Sequence, residues 1–318
     1  MAFYWCASCG GCEESVVDLA EYIFDLVNSV DIVFWPVALD FKKKDVEAMS
    51  DRSILATMIN GAIRTSEQEE MARLLRFKSK IVIAFGACAH LGGVPSLTNQ
   101  FEREKILEYI YIGAPTMVNE QKTLPELQHW DNGRMVTLPE FRNIVRSLDQ
   151  VVDVDYYLPG CPPTPKLLKK ALSTILSREL PPKGTILAPN ISLCSECPRI
   201  EGKPQDLAIS EFKRPHRTHL DPQKCFLTQG IVCIGPATRG GCEALCIQGN
   251  MPCTGCFGPT SHVKDQGAKI LSALASSVSA KNENEIDEVL SGIPDPVGSF
   301  YRYGLAKSLL RGKQMGKK

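Results

Sequence analysis

Residues 2–5, AFYW, form an apolar run too short for a helical period and end at a cysteine, which is how a buried strand reads. VVDLAEYIFDLV, 16–27, repeats its apolar positions every three or four residues and predicts one amphipathic helix. DIVFWPVAL (31–39), SILATMI (53–59) and KIVIAFGA (80–87) read as strands, with a helix over SEQEEMARLLRFKSK (66–80) and Ser66 at its N-cap. VDVDYYLPG (152–160) is a further strand, followed by the proline-started helix PTPKLLKKALSTILS (163–177). Strand and helix alternate throughout. The pattern predicts an α/β fold, a flavodoxin-like, doubly wound and mostly parallel sheet over residues 1–180.

The pattern then stops. PPKGTILAPN (181–190) is a proline-rich linker, and about seventy residues follow in which Cys, Gly and Pro are dense and periodicity is absent. Too little apolar surface is expected there for a core, so bound groups would have to supply one. Helical periodicity returns in AKILSALASSV (268–278) and NEIDEVLSGI (284–293), before a basic, frayed end, RGKQMGKK. Residues 181–318 are thus expected to be a second, cysteine-rich, cluster-stabilised domain with little regular structure and a helical tail.

Composition narrows the function. With 318 residues and 44% hydrophobic content, two domains fit the length. Lys plus Arg equals Asp plus Glu at 36 each, so no overall field draws the chain to nucleic acid or to an anionic membrane. No apolar run reaches the roughly 18 residues of a membrane span, and cysteines begin at residue 6 without a signal sequence, which predicts a cytoplasmic protein. Thiols stay reduced there, and 13 cysteines, an odd number, argue for metal ligation over a disulfide framework.

The cysteines fall into two sets, with eight between residues 194 and 256 and five within the first 161. CASCGGC (6–12) begins like a ferredoxin run, but the position where the fourth cysteine would stand holds Val16. The site must therefore be completed from far away. Three predicted strands end in cysteine-bearing loops, and the carboxyl ends of parallel strands share one edge, so Cys9, Cys12, Cys88 and Cys161 can converge there. Four thiolates suit tetrahedral zinc or an iron-sulfur cluster; the surrounding glycines, Gly10, Gly11, Gly86, Gly92, Gly93 and Gly160, favour the cluster by letting backbone amides approach its sulfides. Only the pair Cys9–Cys12 encloses two glycines, which leaves Cys6, at the strand end, as a buried free thiol.

CGGCEE, GACAHLGG and PGCPP, in this order and separation, together with GSFYRYGLAKSLL (298–310), resemble the small subunit of nickel-iron hydrogenases, most of all the cytoplasmic, methyl-viologen-reducing and deazaflavin-non-reducing kind of methanogens. The resemblance implies a proximal 4Fe-4S cluster on Cys9, Cys12, Cys88 and Cys161, beside the nickel-iron site of a separate large subunit. It implies a distal cluster on Cys194, Cys197, Cys225 and Cys233 and a medial one on Cys242, Cys246, Cys253 and Cys256, three 4Fe-4S clusters in all. Cys246 fills a slot that lacks a thiol in exported relatives, whose medial cluster has three irons. A ferredoxin-like exchange of Cys233 with Cys242 stays open. Glu14 occupies the family's acidic position near the intersubunit proton path, or else simply favours the first turn of a helix. Asn60 and Gly61 match a Glu-Gly pair of many relatives, which puts an acid role there in doubt. His90, His129, His216, His219 and His262 show no ligand spacing. Catalysis would belong to the large subunit, with electrons leaving through a small iron-sulfur subunit to a flavin-containing heterodisulfide reductase. A quinone-reductase-like subunit and a structural zinc protein are the alternatives.

Overall fold

Five short apolar runs become the parallel strands of one sheet: β1 (Ala2–Trp5), β2 (Ile54–Asn60), β3 (Ser79–Phe85), β4 (Tyr156–Leu158) and β5 (Thr185–Ile186), side by side in that order. A computed structural model describes residues 1–177 and 179–310; the basic end expected after Leu310 lies outside the described residues. The strand expected at 31–39 is reduced to one parallel bridge, Phe34 to Ala2, held by Phe3 N–H to Phe34 O and Val33 N–H to Met1 O at 2.8 and 2.9 Å. Pro36 has no N–H to continue the ladder. The remnant still lies on the outer side of β1, so the chain doubles back across β1 to reach β2. That gives the flavodoxin-like order, with its topological switch between β1 and β2.

Helices cover both faces. The single helix expected over 16–27 is two, α1 (Gly11–Val17) and α2 (Tyr22–Ser29), because the chain turns at Ala20, whose φ is 51°. Leu19 and Leu26 both reach the core across that turn. With α5 (Pro165–Leu176) these helices pack on Phe3, Met58, Ile83 and Phe85, while α3 (Ser66–Lys78) and α4 (Gly86–Leu91) pack on Ile54, Ile59, Val82 and Ala84. In α5 the inward stripe is Leu167, Leu168, Leu172 and Ile175, each worth about 1.5–3 kcal/mol of transfer energy when buried. Thr65, not Ser66, caps α3: its hydroxyl accepts from Gln68 N–H, and the Gln68 side chain accepts from Thr65 N–H, a reciprocal box.

Two antiparallel pairs stand outside the sheet: Ile63–Thr65 with Phe141–Arg146, and the hairpin Gln128–Asp131 with Arg134–Thr137. Residues 100–144 bury no side chain among the described residues.

The cysteine-rich segment has more apolar core than expected. Leu193, Phe226, Ile231 and Ile234 from the segment close on Ile270 and Leu274 of α6 (Gln266–Ala275), Val289 of α7 (Glu283–Ser291), and Phe300 and Leu305. The tail helices supply the surface that the segment lacks by itself. Regular structure in the segment is confined to short turns and the one-turn helix Leu245–Gln248. Arg239, 1% exposed, fastens it to the linker and the following loop, donating to Pro189 O, Pro259 O and Ser261 Oγ. The tail also returns to the first half, where Lys307 pairs with Asp149 at 2.5 Å and Gly93 N–H donates to Tyr303 O at 2.9 Å. No helix among the described residues is long and apolar enough to cross a membrane.

Candidate metal centre

Sheet register brings distant loops together. Trp5 pairs with Asn60, Asn60 with Phe85 and Phe85 with Leu158, so four strands end in one row. From that row the chain enters the turn holding Cys9 and the start of α1 with Cys12, the turn at Gly61, α4 with Cys88, and the loop holding Cys161. The thiols there oppose one another's ionisation. Burial, then Cys88, Cys161 and Cys9, raises Cys12; burial, then Cys161 and Cys9, pushes Cys88 up to about 12; burial and Cys9 raise Cys161. Cys6 is elsewhere, packed with Ala2, Phe34 and Ile59 on the opposite face, and burial alone raises its thiol.

Cys194, Cys197, Cys225 and Cys233 line a single cavity, closed by Leu193, Phe226 and Pro236 among others. Cys242 does not line it; its thiol is raised by burial and, further down, by Glu196 and Cys246. Cys256, pushed up to about 12 mainly by burial, also feels Cys161, Cys242 and Cys246, and Cys253 feels Cys233 and Cys256. Charge coupling therefore links Cys161 to Cys256, Cys256 to Cys253 and Cys253 to Cys233. Tyr303 sits at the first junction, near Cys256 and Cys161, with its phenol 3.3 Å from Thr254 Oγ1.

The surroundings fit sulfide-bridged iron better than a bare ion. Among the described residues no three His, Cys, Asp or Glu side chains close on a point as one metal ion needs. Glycine backbones instead press on the thiols: at Gly86 (φ +83°) a Cβ would collide with Cys12 Sγ, and at Gly93 (φ +60°) with Cys88 Sγ. Backbone N–H groups point at sulfur, from Val94 to Cys88, Gly235 and Cys253 to Cys233, Ala244 to Cys242, Gly255 to Cys253 and Cys161 to Cys256. Such donors are what tune cluster thiolates.

Beside Glu14, the position that the resemblance implies near a proton path, Glu13 is the acid buried at the switch point. Glu13 is 4% exposed and accepts from Trp35 Nε1 and from Asn60 Nδ2 at 2.5 Å, whereas Glu14 faces solvent. Burial raises the Glu13 carboxyl and the two bonds pull it back down. A carboxylate thus touches Asn60, the position where a side-chain acid looked lost. The signal existed in the helix phase, since 12, 13, 16 and 19 turn inward while 14, 17 and 18 turn outward. His90 is buried, with its ring 4.8 Å from that of Tyr157, and burial lowers it to about 3; the other four histidines are exposed.

Residues 9–175 match the family described as NADH ubiquinone oxidoreductase, 20 Kd subunit. A curated relative from Archaeoglobus profundus, the iron-sulfur subunit of an F420-non-reducing hydrogenase, is 37% identical over 98% of this chain and 98% of its own length. A subunit of the F420-non-reducing hydrogenase of Methanothermobacter thermautotrophicus is 35% identical over 96% of this chain and 94% of its own. A chain in the solved NiFeSe hydrogenase of Desulfovibrio vulgaris Hildenborough aligns over 82% of this chain and 94% of its own with a TM-score of 0.50 at 17% identity, a likeness of fold. This chain belongs to that oxidoreductase family, as one of its nickel-iron hydrogenase small subunits. Both of these curated relatives, matched over nearly their whole length, are subunits of F420-non-reducing hydrogenases.

Proposed function

We propose that this chain is the electron-transfer small subunit of a cytoplasmic nickel-iron hydrogenase, carrying electrons from hydrogen oxidation in a large subunit toward an iron-sulfur partner and then a flavin-containing heterodisulfide reductase. Residues 1–180 hold the proximal cluster on Cys9, Cys12, Cys88 and Cys161. Residues 181–318 hold the medial cluster on Cys242, Cys246, Cys253 and Cys256 and the distal one on Cys194, Cys197, Cys225 and Cys233. The observation that carries this is the cavity lined by Cys194, Cys197, Cys225 and Cys233, coupled by charge through Cys253 and Cys256 to Cys161 at the sheet edge.

Three 4Fe-4S clusters, when bound, supply one-electron chemistry at potentials that protein hydrogen bonds and burial adjust. The chain's own residues bind, order and shield. Gly86 and Gly93 clear space against the sulfurs, and the amides of Val94, Gly235 and Gly255 donate to them. Cys9 and Cys161 stay exposed at the sheet edge, where a large subunit would cover them. The lining of one cavity by Cys233, and not by Cys242, supports the pairing given above over their exchange.

The test is purification of the complex from native cells with iron, nickel and sulfide counted, followed by substitutions in the assembled enzyme. Cys9→Ala should lose one cluster's share of iron and Cys6→Ala none. Cys246→Pro should turn the medial cluster into a three-iron form, visible by electron paramagnetic resonance after oxidation. Iron lost from Cys6→Ala but kept in Cys9→Ala would sink the assignment of the first site. A three-iron signal already present in the wild type, and unchanged by Cys246→Pro, would sink that of the medial one.

A further inference from the structure

The cysteine-rich half carries a basic cleft that the thiol sites do not use. It encloses about 660 Å³ between the loop Lys213–Leu220 and the segment Gly292–Arg302, which contains the short helix Pro296–Phe300, with Pro252, Cys253 and Thr254 on its floor. Lys213, Arg214, His216, His219 and Arg302 line it, and an adjoining cleft shares the first four and adds Arg217. The one carboxylate in the lining is Asp295, and it is occupied: its Oδ1 accepts from Gly298 N–H at 2.8 Å as a helix cap. Lys213 is paired with Glu211 at 2.5 Å, and Arg302 Nε donates to Gly298 O at 3.1 Å. Arg214 and Arg217 form no ion pair among the described residues, in a chain whose formal net charge is zero.

We propose that this cleft is the docking site for an acidic segment of the protein that accepts electrons from this subunit. The inference rests on the proposed function for the partner's role, and on the cleft itself for the partner's chemistry. Two unpaired guanidinium groups on a rim, with a neighbouring lysine and two histidines, set up a local positive potential that steers carboxylates and fixes their register. The apolar side chains that reach the surface of the cleft between the charges are Val232, Met251 and Ile293, and they suit a peptide that alternates acidic and aliphatic side chains rather than a bare phosphate. The floor is the turn that contains Cys253, so a segment seated here lies against the coupled thiols and not remote from them.

The experiment uses the assembled hydrogenase and a fluorescein-labelled hexaglutamate peptide, with binding followed by anisotropy across a salt series. The wild type should bind, more weakly as salt rises, since exposed ion pairs are screened. The double reversal Arg214→Glu and Arg217→Glu should weaken binding by about tenfold or more, since it removes two attractive partners and adds repulsion. Arg214→Lys with Arg217→Lys should keep most of it. A control pair, Lys44→Glu with Lys105→Glu, makes the same change in net charge at exposed positions away from the cleft and should leave binding intact. Equal loss in the control pair, or no loss in the arginine pair, overturns the proposal. So does displacement of the peptide by inorganic phosphate at the same charge concentration, which would make this a small-anion site. Hydrogen-dependent reduction of methyl viologen by the wild-type complex is measured alongside; if that fails, the functional reading falls while the peptide result still decides the chemistry of the cleft.

Discussion

Glu13 offers the sharpest test, because the adjacent Glu14 provides an internal control. The Glu13 carboxylate, in the first turn of α1, accepts from the Trp35 indole and from Asn60 Nδ2 at 2.5 Å, at the switch point between β1 and β2. Glu13→Ala leaves both donors buried without an acceptor, at about 1–3 kcal/mol each, so the loss should be about 2–6 kcal/mol. Glu13→Gln keeps one acceptor oxygen and removes a desolvated charge, so it should cost less, about 1–3 kcal/mol. Glu14→Ala, at an exposed position, should stay within about 0.5 kcal/mol. The sign of the pH dependence follows from the direction of the shift. The folded carboxyl is raised above 4.5 by burial, so folding takes up a proton, and the Glu13 contribution is most favourable below 4.5 and weakens as pH rises through the folded value. Glu13→Gln removes that slope. Denaturant unfolding of the assembled subunit, followed by tryptophan fluorescence at several pH values, measures all three variants. A Glu14→Ala loss as large as that of Glu13→Ala, or a Glu13→Ala loss within about 0.5 kcal/mol, would refute the reasoning.

Asp155 is held by Lys183 at 2.6 Å, Arg76 at 2.5 Å and Val82 N–H at 2.8 Å; burial works upward on its carboxyl, but these partners prevail and hold it below 3.8. Its contribution is therefore complete above 3.8 and lost as pH falls through the lower folded value, so thermal scans should find the wild type weakening in acid and Asp155→Asn flatter there; parallel curves would contradict this. Gly86→Ala should cost more than the roughly 1–2 kcal/mol of a left-handed backbone, because its Cβ meets Cys12 Sγ, whereas Gly184→Ala at φ +84°, with nothing within 4 Å, should cost only that strain; equal losses would mean that the thiol gives way freely. Replacing the hairpin Gln128–Thr137 with a short Gly-Ser link should change unfolding by no more than about 0.5 kcal/mol, since it buries nothing in this chain, and a larger loss in denaturant titration would show that it supports the fold.

Much of the sheet was legible because parallel strands buried on both faces leave unbroken apolar runs, as in ILATMIN and KIVIAF, and because Thr164 and Pro165 mark a helix start in one dimension. The hairpin around Asn132-Gly133 went unread, although that dipeptide is a turn signal, because the flanking runs are short and wholly exposed. The break at Ala20 and the loss of the strand around Phe34 were not legible either, since each depends on what the helix or strand would have met across the core.

The sequence by itself determined the number of thiols, their two groupings and the loops that bear them, because ligand type and strand-loop alternation are local properties of the chain. Only the tertiary structure decided which thiols meet. Register across β1, β2, β3 and β4 sets the row that gathers Cys9, Cys12, Cys88 and Cys161, and a one-residue slip would turn every side chain of the slipped strand to the other face. The same holds for Cys233 lining a cavity that Cys242 does not, for Glu13 turning inward while Glu14 does not, and for tail helices completing the core of a segment too polar to form one alone. Each is a contact between residues far apart in the chain, and packing selects among arrangements that local propensity leaves equal.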